Sequence, residues 1–189
     1  MYGLVNKAIQ DMVLDAGGEQ AWEHVKRDAG VQDLHISNAT NYDDQVSLNL
    51  VGSASQILDI PVDTLLFEFG RHWVRYTNKV GWSDHFKMSG DNLIACLKGL
   101  DEMHQRVRDA MPDANMPFFE VCLAGDDFYL DYHSTRIGFV PMVLGILDEL
   151  CVFFNEQWHI EHQPGHSEPR NCERFLLRRI DKIQTGLEP

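Results

Sequence analysis

Hydrophobic residues recur at helical spacing along the first part of the chain. Val5, Ile9 and Val13 keep this period until Gly17-Gly18, where glycine's tolerance of positive φ predicts a helix end. A second short helix is predicted over residues 22–29, a polar loop over 30–44 and an apolar helix over 46–58. This part of the chain is therefore predicted to be helical.

Two amphipathic helices follow. Pro61 suits a first helical turn, and an apolar stripe extends after it over residues 62–80. A second stripe alternates steps of four and three until Pro112 ends it, and its members are Leu93, Leu97, Leu100, His104, Val107 and Met111. His104 is therefore predicted to point inward with the leucines.

Past Pro117 the pattern changes to the period of strands. Short β-type runs at 118–123 and 128–133 flank an Ala-Gly-Asp-Asp turn, which predicts a hairpin. An apolar helix is predicted over 138–154, and two more antiparallel strands over 157–162 and 174–180. The predicted fold class is α+β, with a helical N-terminal part packed on a C-terminal part that contains an antiparallel sheet and helices. Residues 1–189 are expected to form one domain.

Composition narrows the function classes. A net charge of −13 disfavours nucleic acid and anionic lipid as partners, because both are polyanions. The longest apolar run, 137–147, is shorter than the ~20 residues that span a bilayer, so no membrane association is expected. The amino terminus shows no secretory-signal pattern, which favours the cytoplasm, and the four scattered cysteines are expected to be free thiols there.

His104 is the first candidate for chemistry. A histidine within an apolar helical stripe has lost water around its ring, so it must find a buried partner or stay neutral. Neutral imidazole is the form that ligates iron, but the pattern by itself favours a structural histidine bonded to a backbone carbonyl.

Tyr132, Ser134 and Arg136 form the second candidate group. At alternate positions of a strand their side chains emerge from one face, about 6.6 Å apart. Such a row suits a ligand with two carboxylates, because arginine grips one in bidentate fashion while hydroxyls reach the other oxygens. Haem, with its paired propionates, is such a ligand; the alternative is the polar face of a half-exposed strand.

Together these two groups resemble the signature of the H-NOX family of haem, nitric oxide and oxygen binding domains, which includes the haem module of soluble guanylate cyclase. Tyr132-x-Ser134-x-Arg136 lies downstream of a helix that carries His104, and the resemblance extends over nearly the whole chain. Further matching segments are Met1-Tyr-Gly-Leu-Val-Asn, Phe69-Gly-Arg-His-Trp73, Pro117-Phe-Phe and Pro141-Met-Val-Leu-Gly145.

The resemblance implies a role for each matching residue. It makes His104 the proximal ligand of the iron of haem b, which would be held between the two parts of the fold. Tyr132, Ser134 and Arg136 would hold the propionates, and Pro117 would press on the porphyrin and distort it. The apolar distal side would be lined by Leu4, Val5, Trp73 and Met142.

The distal residues bear on which gas is bound. Bound oxygen needs a hydrogen-bond donor, whereas nitric oxide binds ferrous iron without one. The oxygen-binding branch supplies a tyrosine from the helix after the arginine, where this chain has Pro141 and Met142. We therefore expect nitric oxide as the signal and carbon monoxide as an incidental ligand, unless the indole N–H of Trp73 acts as a donor.

The same resemblance implies how the signal leaves. Nitric oxide would weaken the bond between iron and His104 and release the helix over residues 93–111. No kinase or cyclase motif is recognisable in the sequence, so the chain is expected not to be an enzyme. The expected reader is a separate effector protein, a histidine kinase or a cyclic-di-GMP enzyme.

The tail carries a second metal-ligand pattern. His159, His162, His166 and Cys172 are acceptable zinc ligands at plausible loop spacing, although a merely polar loop would look the same. Some relatives hold a structural zinc in this tail.

Two rival functions remain at this point. One is a binding module for another carboxylate-bearing ligand, such as a bile pigment or a fatty acid. The other is a haem or metal enzyme, which would need a positioned acid-base pair near the metal.

Overall fold

The computed structural model describes residues 1–33, 35–38, 40–82, 90–110, 115–164 and 171–180. Within these ranges the N-terminal part is helical, as its periodicity predicts. The elements are α1 (Gly3–Asp28), α2 (Asp44–Leu58), α3 (Val62–Thr77), a π-helical turn (Asn78–Trp82) and α4 (Leu93–Ala110). The C-terminal part contains β1 (Phe118–Ala124), β2 (Asp127–His133), α5 (Val140–Phe154), β3 (Trp158–Gln163) and β4 (Cys172–Arg179).

The helix boundaries follow local signals in the sequence. Gly18 has φ 71° and ψ −173°, so α1 is bent there and the predicted break at the glycine pair is confirmed. The side chain of Asp43 accepts a hydrogen bond from the backbone N–H of Gln45, which starts α2 two residues before its first predicted position. The helix predicted over 93–111 is observed to residue 110, and Met111 lies outside the described residues.

The four strands form one antiparallel sheet in the order β1-β2-β4-β3. The hairpin of β1 and β2 pairs Phe119 with Tyr132 and Val121 with Leu130, and Gly125 turns the chain with φ 68°. Tyr132, Leu130 and Phe175 are all buried on one face of the sheet. The predicted α+β class is therefore confirmed.

Two buried hydrophobic clusters stabilise the fold, and α4 packs with the C-terminal elements. One joins α1, α2 and α3, and the other joins the inner face of the sheet with α4 and α5. Helices α3 and α5 approach each other closely where both lack a side chain. A Cβ atom on Gly70 would lie 2.1 Å from the Met142 carbonyl oxygen, and one on Gly145 would lie 1.9 Å from that of Phe67.

Charged groups reinforce the contact between α3 and α5. Glu149 on α5 is buried and accepts hydrogen bonds from Arg71 and Arg75 on α3, at 3.1 and 2.7 Å. Both arginines remain partly exposed, so their positive charges balance the buried carboxylate of Glu149 while they stay in contact with water. This pairing fixes the rotation of α3 against α5.

Among the described residues no single helix is long and apolar enough to cross a bilayer. The pair Asp44–Leu58 and Val62–Val80 reaches that length only together, and it is bent by 110°.

Candidate functional site

A cavity lies between the helical part and the sheet part. Its walls come from the start of α1, from α3, α4 and α5, and from β1 and β2. Most of the lining side chains are leucine, valine, methionine or phenylalanine, so the cavity favours a large apolar ligand. The lining includes eight of the nine predicted haem-site residues: Leu4, Val5, Trp73, His104, Pro117, Tyr132, Arg136 and Met142.

His104 enters the cavity from α4. The preceding turns of this helix bury Leu93, Leu97 and Leu100, and the same face carries the imidazole. The His104 Nδ1 atom lies 3.2 Å from the Pro117 carbonyl oxygen, which can only accept, so Nδ1 carries the proton of this hydrogen bond. Burial lowers the pKa of His104 to about 4, although the bond to Pro117 opposes this shift. The ring is therefore neutral near pH 7, and Nε2 keeps a free lone pair.

Pro117 and its neighbours form the wall beside His104. The Pro117 carbonyl also accepts from Arg108 Nη1 at 3.4 Å, so two groups of α4 are bonded to one backbone oxygen. The ring of Phe119 lies with its centroid 5.4 Å from that of His104, tilted by 37°. These contacts hold the imidazole in one orientation.

The polar row differs from its prediction in one respect. Tyr132 is on β2, but the strand ends at His133, so Ser134 and Arg136 lie in the following loop and the expectation of one continuous strand was wrong. The three residues nevertheless stay together: burial raises the pKa of the Tyr132 hydroxyl while Ser134 and Arg136 oppose this shift, and the Ser134 hydroxyl accepts from the backbone N–H of Arg136 at 3.1 Å. Ser134 does not line the cavity; it supports the two residues that do.

Arg136 already has protein partners. Its Nε and Nη2 atoms donate to the two carboxylate oxygens of Asp44, at 2.8 and 3.1 Å, and its Nη1 donates to the Asn115 carbonyl at 2.7 Å. Asp44 also pairs with the amino group of Met1 at 2.6 Å. Burial opposes ionisation of Asp44, but the bonds from Arg136 and the amino terminus outweigh it and lower its pKa. Two of the five guanidinium N–H groups remain for a ligand carboxylate.

The predicted distal residues come from three elements. Leu4 and Val5 lie at the start of α1, Trp73 on α3 and Met142 on α5, and all four line the cavity. Sequence reasoning missed Tyr2 and Phe139, which line it as well. Tyr2 directly precedes α1, and its position in the matching opening segment was the available signal.

The proposed zinc ligands of the tail are divided between the two faces of the sheet. His162 is paired with Phe175, and their ring centroids are 5.3 Å apart. Cys172 is three residues before Phe175 on β4, so strand alternation places it on the opposite face. The His162 Nε2 atom lies instead 2.8 Å from Glu173 Oε2.

His159 does not lie beside His162 or Cys172. His159 is exposed on β3, and Cys172 Sγ lies 3.8 Å from Nε2 of His133, which the sequence pattern did not include. His166 lies outside the described residues. The structure therefore does not bring His159, His162 and Cys172 together, and Cys172 is a free thiol.

The cavity residues fit a haem group on the chemistry of their donors. An imidazole with a free Nε2 lies in the wall, apolar side chains surround the space, and the hydroxyl of Tyr132 and the guanidinium of Arg136 stand at its polar end. Carboxylates of a large apolar ligand would meet donors there, and a metal at its centre would meet a neutral nitrogen.

Comparisons with known proteins agree with this assignment. Residues 2–162 match the protein family described as Haem-NO-binding. The soluble guanylate cyclase gcy-33 of Caenorhabditis elegans is 26% identical over 99% of this chain, and the soluble guanylate cyclase 89Db of Drosophila melanogaster is 21% identical over 82%. The chain spans only about a fifth of the length of these relatives, 20% and 23% respectively.

Solved structures with the same fold include proteins captured with different gases. An H-NOX protein from S. oneidensis in the Fe(II)NO ligation state superposes with a TM-score of 0.83, at 17% identity over 96% of this chain and 100% of that one. An oxygen-binding H-NOX domain solved as its oxygen complex gives a TM-score of 0.77, at 20% identity over 94% and 93% of the two chains. The chain thus belongs to the Haem-NO-binding, or H-NOX, family of haem-binding gas sensor domains related to those of soluble guanylate cyclases.

Proposed function

We propose that this chain is a cytoplasmic nitric oxide sensor that binds ferrous haem b through His104 and signals to a separate effector protein. The observation that carries the proposal is the hydrogen bond of His104 Nδ1 to the Pro117 carbonyl. It selects the tautomer whose Nε2 is free to ligate iron, within a largely apolar cavity.

The proposed haem is of the b type because the sequence contains no segment of the kind used for thioether attachment. Thioether attachment uses a Cys-x-x-Cys-His segment, and Cys96, Cys122, Cys151 and Cys172 are too far apart in sequence to form one. The group would be retained by His104 and by its propionates, which Tyr132 and Arg136 would hold with Ser134 behind them. Pro117 in the adjoining wall would bear on the porphyrin plane.

Selectivity for nitric oxide is proposed from the distal wall. Ferrous haem supplies an iron that binds diatomic gases, and the surrounding side chains decide which complexes are stabilised. Met142 brings a thioether and Pro141 a ring without an N–H, so the side chains at the start of α5 offer no hydrogen-bond donor. Trp73 and Tyr2 are the distal side chains with a ring N–H or O–H, which makes them the groups to test.

The signal would leave through α4. The first residue of this helix is fixed, because the Leu93 backbone N–H donates to Glu156 Oε2 at 3.0 Å. Its later part is bonded to the Pro117 carbonyl through His104 and Arg108. Loss of the bond from His104 Nε2 to iron would let this later part move while Leu93 stays anchored. The result would be a shift between two positions of one helix.

The proposed reader is a histidine kinase or a cyclic-di-GMP enzyme, and the chain itself acts as a binding module without catalysis. No kinase or cyclase motif is recognisable in these 189 residues. Because the chain carries a net charge of −13, the docking surface of such a partner is expected to be basic.

Absorption spectra of the purified ferrous protein test the proposal. Under argon a histidine-ligated Soret band is expected, nitric oxide should shift it to the position of a complex without histidine, and air should produce no stable oxygen complex. A stable oxygen complex would refute the selectivity, and Trp73→Phe and Tyr2→Phe variants would then identify the donor. A missing Soret band after reconstitution would favour a module for another carboxylate-bearing ligand, and peroxide turnover above that of free haem would favour an enzyme.

A further inference from the structure

Three potential metal ligands meet on the outer side of the helical part. Asp11 and Asp15 are four residues apart on α1, so their carboxylates emerge from the same face of that helix. His72 on α3 faces them. One ligand atom from each of the three side chains lies within 4.8 Å of the other two. None of the three residues lines the haem cavity.

The spacing of Asp11 and His72 matches that of two ligands on one ion. His72 Nε2 lies 3.2 Å from Asp11 Oδ2. Two ligands about 2.0–2.1 Å from a tetrahedral zinc ion are roughly 3.3 Å from each other, so this pair needs little movement to bind one. Asp15 is exposed and free to turn its carboxylate towards the same point.

The Nε2 atom of His72 has only a poorly aligned contact with Asp11. This nitrogen is buried, and although it is close to Asp11 it makes no hydrogen bond. A buried polar atom without a hydrogen bond costs free energy, and a metal ion would supply the missing partner. The ring is held in place by Tyr76, which stacks on it with centroids 6.0 Å apart and planes at 25°.

The surrounding charges favour a cation. Within the part of the chain that the structure describes, neither Asp11 nor Asp15 forms an ion pair with lysine or arginine. Burial and, to a lesser extent, the charge of Arg75 lower the pKa of His72 while Asp11 and Asp15 oppose this shift, so the ring is neutral near pH 7 and its lone pair can be donated. The net charge of −13 adds a general attraction for cations.

We propose that Asp11, Asp15 and His72 form a binding site for a divalent transition-metal ion of the zinc type, which joins α1 to α3. One imidazole and two carboxylates suit borderline ions, whereas magnesium and calcium prefer oxygen ligands alone. Three protein ligands leave one position of a tetrahedral ion to water. The site is linked to the cavity through α3, because Trp73 follows His72 on that helix and lines the haem cavity.

Titration of the haem-loaded protein with Zn²⁺, followed by calorimetry, tests the site. The parent is expected to bind one Zn²⁺ through these residues, and excess Mg²⁺ should not displace it. His72→Asn and Asp15→Asn should each weaken this binding at least about tenfold. Asp15 is exposed, so its variant keeps the test valid if the change at His72 impairs folding.

Two control variants separate this site from other sources of binding. Glu19→Gln removes one negative charge from an exposed position of α1 outside the cluster, and it should leave the affinity unchanged. Cys172→Ser should also leave it unchanged, because any zinc held by the tail is a separate event. Equal Zn²⁺ affinity in the parent and in both ligand variants would overturn the proposal, as would displacement of the Zn²⁺ by Mg²⁺.

Discussion

The two parts of the fold make unequal contributions to the cavity. The later part, which here comprises α4, the sheet and α5, brings the polar groups, namely His104, the Pro117 carbonyl, Tyr132 and Arg136. The earlier part contributes mainly apolar side chains that line the cavity, among them Leu4, Val5 and others of α1 and α3. It also contributes the charge of Asp44, which reaches across to Arg136.

This difference shows that iron ligation and the contact between the two parts can be changed separately. The iron ligand is positioned entirely within the later part, because His104 and Pro117 are only 13 residues apart. The carboxylate-binding end depends on both parts, because Arg136 is held by Asp44 from 92 positions earlier. Changes at His104 should therefore act on iron ligation, and changes at Asp44 should affect how the parts join.

The largest expected effect is that of His104→Gly. Without the imidazole the iron has no protein ligand, so purified protein should lose nearly all of its Soret absorbance, and free imidazole should restore it. His159→Gly, at an exposed position on β3, is the matched control and should retain full haem content. Haem uptake and colour unchanged in the His104 variant would contradict the proposed ligation.

The haem-free protein should show the burial of His104 as a pH dependence of stability. The pKa of His104 is about 4 in the folded state, against the ordinary histidine value of 6.5 that applies to the unfolded chain. Between these values the unfolded chain binds a proton that the folded chain does not, so the free energy of unfolding falls as the pH falls from 6.5 to 4. The loss amounts to about 3 kcal/mol.

Urea titrations of the haem-free protein at several pH values measure this loss. A His104→Gln variant keeps a donor for the Pro117 carbonyl but cannot titrate, so its stability should depend less on pH over the same range. Parallel curves for the two proteins would show that His104 is accessible to protons in the folded state.

Gly70→Ala tests the junction on which the distal wall depends. The added methyl group would lie 2.1 Å from the Met142 carbonyl, so α3 and α5 must separate, at a cost of about 2 kcal/mol. Gly52→Ala is the control, since a Cβ there meets no atom within 4 Å inside a helix and should be neutral or slightly stabilising. Thermal unfolding compares the two, and equal melting temperatures would contradict the close approach.

Much of this architecture could be predicted from the sequence. Periodicity located the helices and the hairpin, and the leucines that precede His104 showed that its face of α4 is buried. Periodicity shows which face is covered but not which element covers it, so it could not pair Asp44 with Arg136 or give the sheet order β1-β2-β4-β3. The family resemblance, and not the pattern, supplied distal residues such as Trp73. The predicted run ended at His133 as β2 does, but Ser134 and Arg136 were wrongly counted on the same strand because the alternation of polar residues continues into the loop.

Asp44→Asn tests the ionic link between the two parts and should have the smallest effect. Asp44 is 36% exposed, so losing its charge should cost the haem-free protein only about 1 kcal/mol of unfolding free energy. With haem bound the loss should be smaller, because a propionate can then compensate the charge of Arg136.

Asp63→Asn is the matched control for Asp44→Asn. It removes an acidic group from the first turn of α3, and Asp44 lies in the first turn of α2. Urea unfolding with and without haem measures both variants. If Asp44→Asn destabilises the two forms equally, Arg136 does not exchange partners, and the later part of the fold holds the haem carboxylates by other groups.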